Sequence, residues 1–274
     1  RDAGIVNRFD GYRTKLEWLG EAPLAPFADL QFGADWTTEA IDTDNGFGTL
    51  LEESTDMFGG FLQLTLEPVE SLTLAAALRH DEHAEFGGFT TGRATAAWRV
   101  AEGTKLRASV ANGFRPPALD ELYNPGYGNP ALDPETSISF DAGIEQSLLD
   151  GRARLELGVF HIVREDPIVF DPTFTYTQGT SDYTSQGVEL AARIRPVEGL
   201  ELSAAYTFTD ADCTPSPTDF GCNQQGRILR SAEHALSGSL AWAATDRLTL
   251  GATALFVSGL VDGNAFDADT ETYL

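Results

Sequence analysis

The chain has 274 residues, 42 of them acidic and 18 basic, for a formal net charge of −24. That balance excludes a nucleic-acid partner, which needs a basic face. No run of about 18 apolar residues occurs, so no transmembrane helix is encoded; strands of a membrane barrel, which need only about 9–11 residues and look polar on average, remain open.

In chain order, period-two alternation predicts strands over 9–20, 26–37, 57–67, 71–80, 88–100, 104–113, 136–148, 152–163, 183–195, 199–209, 232–244 and 247–258. The early run sets Tyr12, Thr14, Leu16 and Trp18 against Arg13, Lys15 and Glu17. The fourth sets Leu72, Leu74, Ala76 and Leu78 against Ser71, Thr73 and Arg79. In the ninth, Val188, Leu190, Ala192 and Ile194 oppose Glu189, Arg193 and Arg195. The tenth opposes Leu200, Leu202, Ala204, Tyr206 and Phe208 to Glu201, Ser203 and Thr207. Helices would need apolar residues three and four apart, and these runs do not supply them.

The connections alternate as regularly as the strands. Those at 20–25, 68–70, 101–103, 149–151, 196–198 and 245–246 are short and rich in turn residues; those at 38–56, 114–135, 164–182, 210–231 and 259–270 are long, with 81–87 the one modest member. Greek-key links of a soluble sandwich give no such regularity. An up-and-down barrel in an outer membrane does, with short periplasmic turns, long outer loops and charges kept off the lipid face. The fold class read here is therefore all-β: an antiparallel transmembrane barrel domain over 1–274, with no linker. Tyr12, Trp18, Trp36, Phe58, Trp98, Tyr206 and Trp242 fit interfacial girdles. A passive cation-preferring channel and a soluble β-rich binding protein are the competing readings.

Candidate sites are few. Cys213 and Cys222 sit in one loop with Pro215, Pro217 and Gly221, which points to a disulfide and an oxidising compartment; the spacing does not suit a zinc knuckle. Asp42 and Asp44 open an acidic loop that could take Ca²⁺, although Gly46 falls one residue short of the EF-hand glycine. His80 and His83 read as exposed loop residues rather than metal ligands. No Ser–His–Asp set, phosphate-cradling glycine loop or zinc-protease helix appears, so no enzyme is expected and no cofactor beyond loop calcium.

The segment 108–145 differs in kind. Gly113, Phe114, Arg115, Pro116 and Pro117 are followed by Leu122 and Tyr123, then by Gly128, Asn129, Pro130, Leu132, Pro134 and Glu135. The prolines cannot continue a sheet ladder and the glycines permit tight turns, so a stiff, folded outer loop is expected. Tyr123 and Tyr127 either pack within it or contact a ligand. This segment resembles the TonB-dependent outer-membrane receptors, in which a strand ends in Gly-Phe-(Lys/Arg)-(Ala/Pro)-Pro and the chain then reaches Gly-Asn-Pro-x-Leu-x-Pro-Glu. The strand end over 160–168, the strand start Gly187-Val188-Glu189 and the run 227–236 are similar to further family segments. The compact spacing looks like the vitamin B12 (cobalamin) receptor-like branch. Haem receptors of the family place a histidine between the two boxes, and none of the four histidines lies there.

The resemblance implies a Gram-negative outer membrane, lipid contact and energy-coupled uptake of cobalamin or a ferric siderophore. It also implies a TonB partner, engaged through an N-terminal segment that 1–274 does not include. Family transporters have about 22 strands around a plugged lumen. The dozen or so read here would be the middle and later part of such a barrel, without its plug or last strands, and would not transport alone.

Overall fold

The computed structural model describes residues 8–44, 50–217 and 219–261. Strands β1 (Arg8–Ala25), β2 (Ala28–Asp44), β3 (Leu50–Val69), β4 (Leu72–His83), β5 (Gly87–Ala101) and β6 (Thr104–Arg115) come first. A short helix, α1 (Leu119–Tyr123), is followed by β7 (Glu135–Leu148), β8 (Ala153–Glu165), the small ribbon β9 (Ile168–Phe170) and β10 (Tyr176–Gln178), then β11 (Tyr183–Ile194), β12 (Leu200–Asp212), β13 (His234–Thr245) and β14 (Leu248–Ser258). The twelve long strands form one sheet, each antiparallel to the next, with β8 pairing to β11 across the β9–β10 ribbon. Among the described residues β1 and β14 are paired on one side only. A free edge of this kind needs a partner strand in lipid, where no water satisfies backbone groups.

Period two sends one register of side chains outward. In the ladder, Leu72 faces Trp98, Trp98 faces Leu106, Leu106 faces Ile144 and Ile144 faces Leu157. The row continues through Leu190, Tyr206, Leu236 and Phe256. Most of these side chains are exposed, Leu190 by 46% and Phe256 by 55%. Lipid is the environment that suits such a band; covering one large apolar side chain stabilises by about 1.5–3 kcal/mol. The opposite register carries the ions. Arg79 lies between Asp35 at 2.7 Å and Asp81 at 2.6 Å. Arg154 lies between Glu145 at 2.5 Å and Glu156 at 3.0 Å, and Glu201 takes Arg193 and Arg195. The concave side of the sheet is therefore an ion-paired lumen wall.

The expected loop at 38–56 is corrected. β2 runs on to Asp44 and β3 starts at Leu50, with unbroken pairing such as Ala40 to Ser54 and Asp42 to Glu52. Alternation vanishes there because both faces of this hairpin stand above the apolar band, where polar residues suit either side; the β-branched Thr38, Ile41, Thr43 and Thr55 keep the backbone extended. The connection expected at 20–25 shrinks to Pro26 and Phe27, and that at 81–87 to 84–86.

Candidate functional site

The connection between β6 and β7 is folded throughout. Phe114 stacks on Phe89, with ring centroids 4.4 Å apart. At the neck, Arg115 donates from Nε to Glu135 at 2.6 Å and from Nη1 to Glu121 at 2.9 Å. Glu135 is buried, 3% exposed, and its other oxygen accepts from the Ile168 backbone N–H at 2.5 Å. One carboxylate thus ties both ends of this loop to the start of β9. Pro117 is buried and Pro116 half-buried beside it. Glu121 also accepts from the Ala118 N–H at 2.7 Å, satisfying a free donor at the first turn of α1.

Leu119 and Leu122 of α1 are buried, and Leu119 packs with Ile41 and Leu51. Ile41 shares the register of Asp35, so α1 lies on the lumen side of the tall β2–β3 hairpin, folded inward over the mouth. Tyr123 joins this cluster and donates to Glu85 at 3.0 Å. Past the helix, Gly128 N–H reaches the Asn124 carbonyl at 2.7 Å. Asn129 donates to the Tyr176 carbonyl at 3.0 Å and accepts from the Ala131 N–H at 3.0 Å, which fixes Pro130 in an exposed turn. Leu132 is buried and Pro134 half-buried before the return into β7. Tyr127 meets Phe170 and Tyr176 edge-on. Burial raises the Tyr123 and Tyr127 phenols, reinforced by Glu85 and Asp120 respectively, so both are neutral donors at neutral pH. Both tyrosines are thus held within the cap, each half-exposed at its surface.

A second small core sits under the outer connections that flank β11 and β12. Cys213 and Cys222 are joined by a disulfide, with Cα atoms 6.0 Å apart. Cys222 packs with buried Val169 and Tyr183. Tyr183 donates to Asp219, whose two oxygens lie 2.7 and 2.9 Å away, and Asp219 is 2% exposed. The Phe220 N–H reaches the Phe170 carbonyl at 3.1 Å. The sequence marked Glu135 through the Gly-Asn-Pro-x-Leu-x-Pro-Glu segment but did not single out Tyr183 or Asp219; a lone Tyr or carboxylate in a loop carries no pattern until the fold brings its partner near.

Asp42 and Asp44 lie on β2, not in a loop, and the rest of their connection, 45–49, falls outside the described residues. Among the described residues no group of three or more His, Cys, Asp or Glu is placed to hold a metal ion. His80 and His83 end a strand. His80 meets Thr90 at 2.9 Å, whereas His83 is 5% exposed, contrary to the loop position expected. It is enclosed because its register turns it to the lumen side, where it packs on Phe86.

Residues 2–273 match the family described as TonB dependent receptor-like, beta-barrel. The chain belongs to that family. TonB-dependent receptors are receptors and transporters of the Gram-negative outer membrane rather than an enzyme class, and the lipid-facing band places this barrel there. The iron-regulated outer membrane virulence protein of Vibrio cholerae is 26% identical over 254 residues, covering 82% of this chain and 38% of the relative. A mutant of the ferric enterobactin receptor of Pseudomonas aeruginosa in complex with enterobactin superposes with a TM-score of 0.75 at 19% identity, over 91% of this chain and 42% of that one. The siderophore receptor PirA of Acinetobacter baumannii gives 0.72 at 15% identity, over 92% and 43%. At these identities the structural likenesses carry the fold alone. The chain spans less than half the length of each of these relatives.

Proposed function

We propose that the chain forms part of the barrel and outer cap of an energy-coupled receptor that takes up an iron chelate, with TonB engaged by another part of the full receptor. The observation that carries this reading is the inward-folded cap. A neck tied by Arg115, Glu121 and Glu135 carries α1 over the lumen mouth, where the rings of Tyr123 and Tyr127 are half-exposed at the surface with their hydroxyls held by Glu85 and Asp120. Relatives are named for iron regulation and for siderophores, and this supports reading the cargo as an iron chelate rather than the cobalamin suggested by the compact motif spacing. Loop calcium at Asp42 and Asp44 would be an accessory to this role. The test is uptake of radiolabelled iron, supplied on defined chelators, by iron-starved cells with and without the full-length gene, each in the presence and absence of TonB. Uptake that needs both supports the reading. Gene-dependent uptake of labelled cobalamin but not of iron would overturn the cargo, and gene-dependent uptake that persists without TonB would overturn the coupling.

A further inference from the structure

The outer connections of the cap are unusually one-sided in charge. Segments 84–86, 116–134 and 166–182 carry Glu85, Asp120, Glu121, Asp133, Asp166, Asp171 and Asp182, and not one Lys or Arg. The adjoining connection 213–233 adds Arg227 and Arg230, and these cations, like Arg115 and Arg164 at the strand ends, are engaged. Arg115 is held by Glu121 and Glu135, Arg164 lies 4.8 Å from the centre of the Tyr183 ring, and Arg227 meets Glu233 at 3.3 Å. The side chains of Asp133, Asp166 and Asp182 are exposed rim groups.

An independent feature lies inside this acidic rim. Tyr127, Phe170, Phe174 and Tyr176 form a chain of edge-to-face rings, with centroids 5.1–6.1 Å apart. Phe174 tops the β9–β10 ribbon and is 60% exposed. Asp171 anchors that turn by accepting from the Thr173 and Thr175 backbone N–H groups at 2.8 and 3.1 Å. Aromatic faces attract cations, most strongly where carboxylates lower the local potential. A polyanion at the same place would meet like charge with no unengaged guanidinium among Arg115, Arg164 and Arg227 to receive it.

We infer that this mouth selects an iron chelate of net positive or zero charge, such as a ferric trihydroxamate bearing a free ammonium group, and discriminates against a ferric tricatecholate trianion. The inference rests on the iron-chelate reading above and adds the charge class of the cargo. The ammonium end would settle on the Phe174–Phe170–Tyr176 surface, while the acidic rim raises the local concentration of the complex, an effect that weakens as salt shortens the screening length to about 8 Å.

The experiment measures binding to the full-length receptor in outer-membrane vesicles at low and physiological salt. The three probes are an ammonium-bearing ferric trihydroxamate, its N-acetylated neutral form and ferric enterobactin. The expected order is cationic, then neutral, then trianionic, with the cationic probe favoured over the trianion by about tenfold or more at low salt and by less at high salt. D133N/D166N/D182N narrows that spread. F174S weakens the cationic probe by about two- to fivefold and leaves the trianion unchanged. Tightest binding by the trianion overturns the charge inference and keeps the iron-chelate reading. Binding that is independent of both probe charge and salt overturns the charge inference as well. Failure of all three probes to bind overturns both.

Discussion

Arg115 and Glu135 face each other across the neck of the outer loop, nitrogen to oxygen at 2.6 Å, although nineteen residues of chain run between them. The carboxylate is nearly fully buried while the guanidinium is 44% exposed, so the pair is half-screened by water. Its strength comes from the hydrogen bonds it makes to several elements at once, including the first N–H of β9.

Replacing Glu135 with Ala should therefore open the loop without unfolding the barrel. The Ile168 N–H loses its acceptor, and an orphaned buried donor costs about 1–3 kcal/mol. E135Q keeps an acceptor and should lose about half as much. Limited proteolysis of the full receptor reads this out as faster cutting within 116–134; equal cutting rates in wild type and E135A would show that the neck is not held by this pair.

Gly128 and Gly126 make a matched pair. A Cβ at Gly128 would stand 2.5 Å from the Asn124 nitrogen and 2.8 Å from two backbone oxygens, whereas at Gly126 the nearest atom is 3.5 Å away. G128A should destabilise the loop by about 1–3 kcal/mol and G126A hardly at all. Hydrogen exchange across 119–132 distinguishes them, and similar protection in the two variants would contradict the assigned geometry.

Register is testable at two adjacent residues. Leu190 faces Leu157 and Tyr206 in the outward row, and Glu189 faces the lumen opposite Gly158. L190R should cost about 2–4 kcal/mol of folding free energy in a bilayer, and E189R far less. Urea titration of the full receptor in lipid vesicles measures both; a larger penalty for E189R would invert the assigned faces.

Removing the disulfide with C213S/C222S should cost about 2–3 kcal/mol, felt locally, because the bridge closes a short loop across a sequence separation of 9. The buried Tyr183–Asp219 bond sits beneath that loop. The expected readout is faster hydrogen exchange in 219–229 with no change in β12. An unchanged exchange rate would mean that Tyr183, Val169 and Asp219 hold the loop without the bridge.

The barrel was legible wherever the sheet has two different environments. Leu200 to Phe208 alternate because one side meets lipid and the other meets charged partners such as Arg193 and Arg195. The same rule hid β2 and β3 above the band, since Thr38, Asp42 and Glu53 look alike on both sides. Within the cap, the prolines and glycines around Tyr123 announced a stiff loop because their backbone limits are local. The contacts that shape it are not local. Nothing in the neighbourhood of Glu135 names Ile168, and nothing near His83 says that its strand continues far enough to turn it inward.

The packing of Leu119 on Ile41 and Leu51 also has a chronology. Sheet pairing here joins mostly sequence neighbours, through turns as short as two residues, so hairpins can zip early. Helix α1 must instead wait for strands that left the chain far earlier and are already standing upright. Contacts of long sequence separation form late because their loop-closure entropy must be met first. Docking of α1 is thus expected to follow the zipping of the β2–β3 hairpin on which it rests, so that the hairpin stands before its inner face is covered.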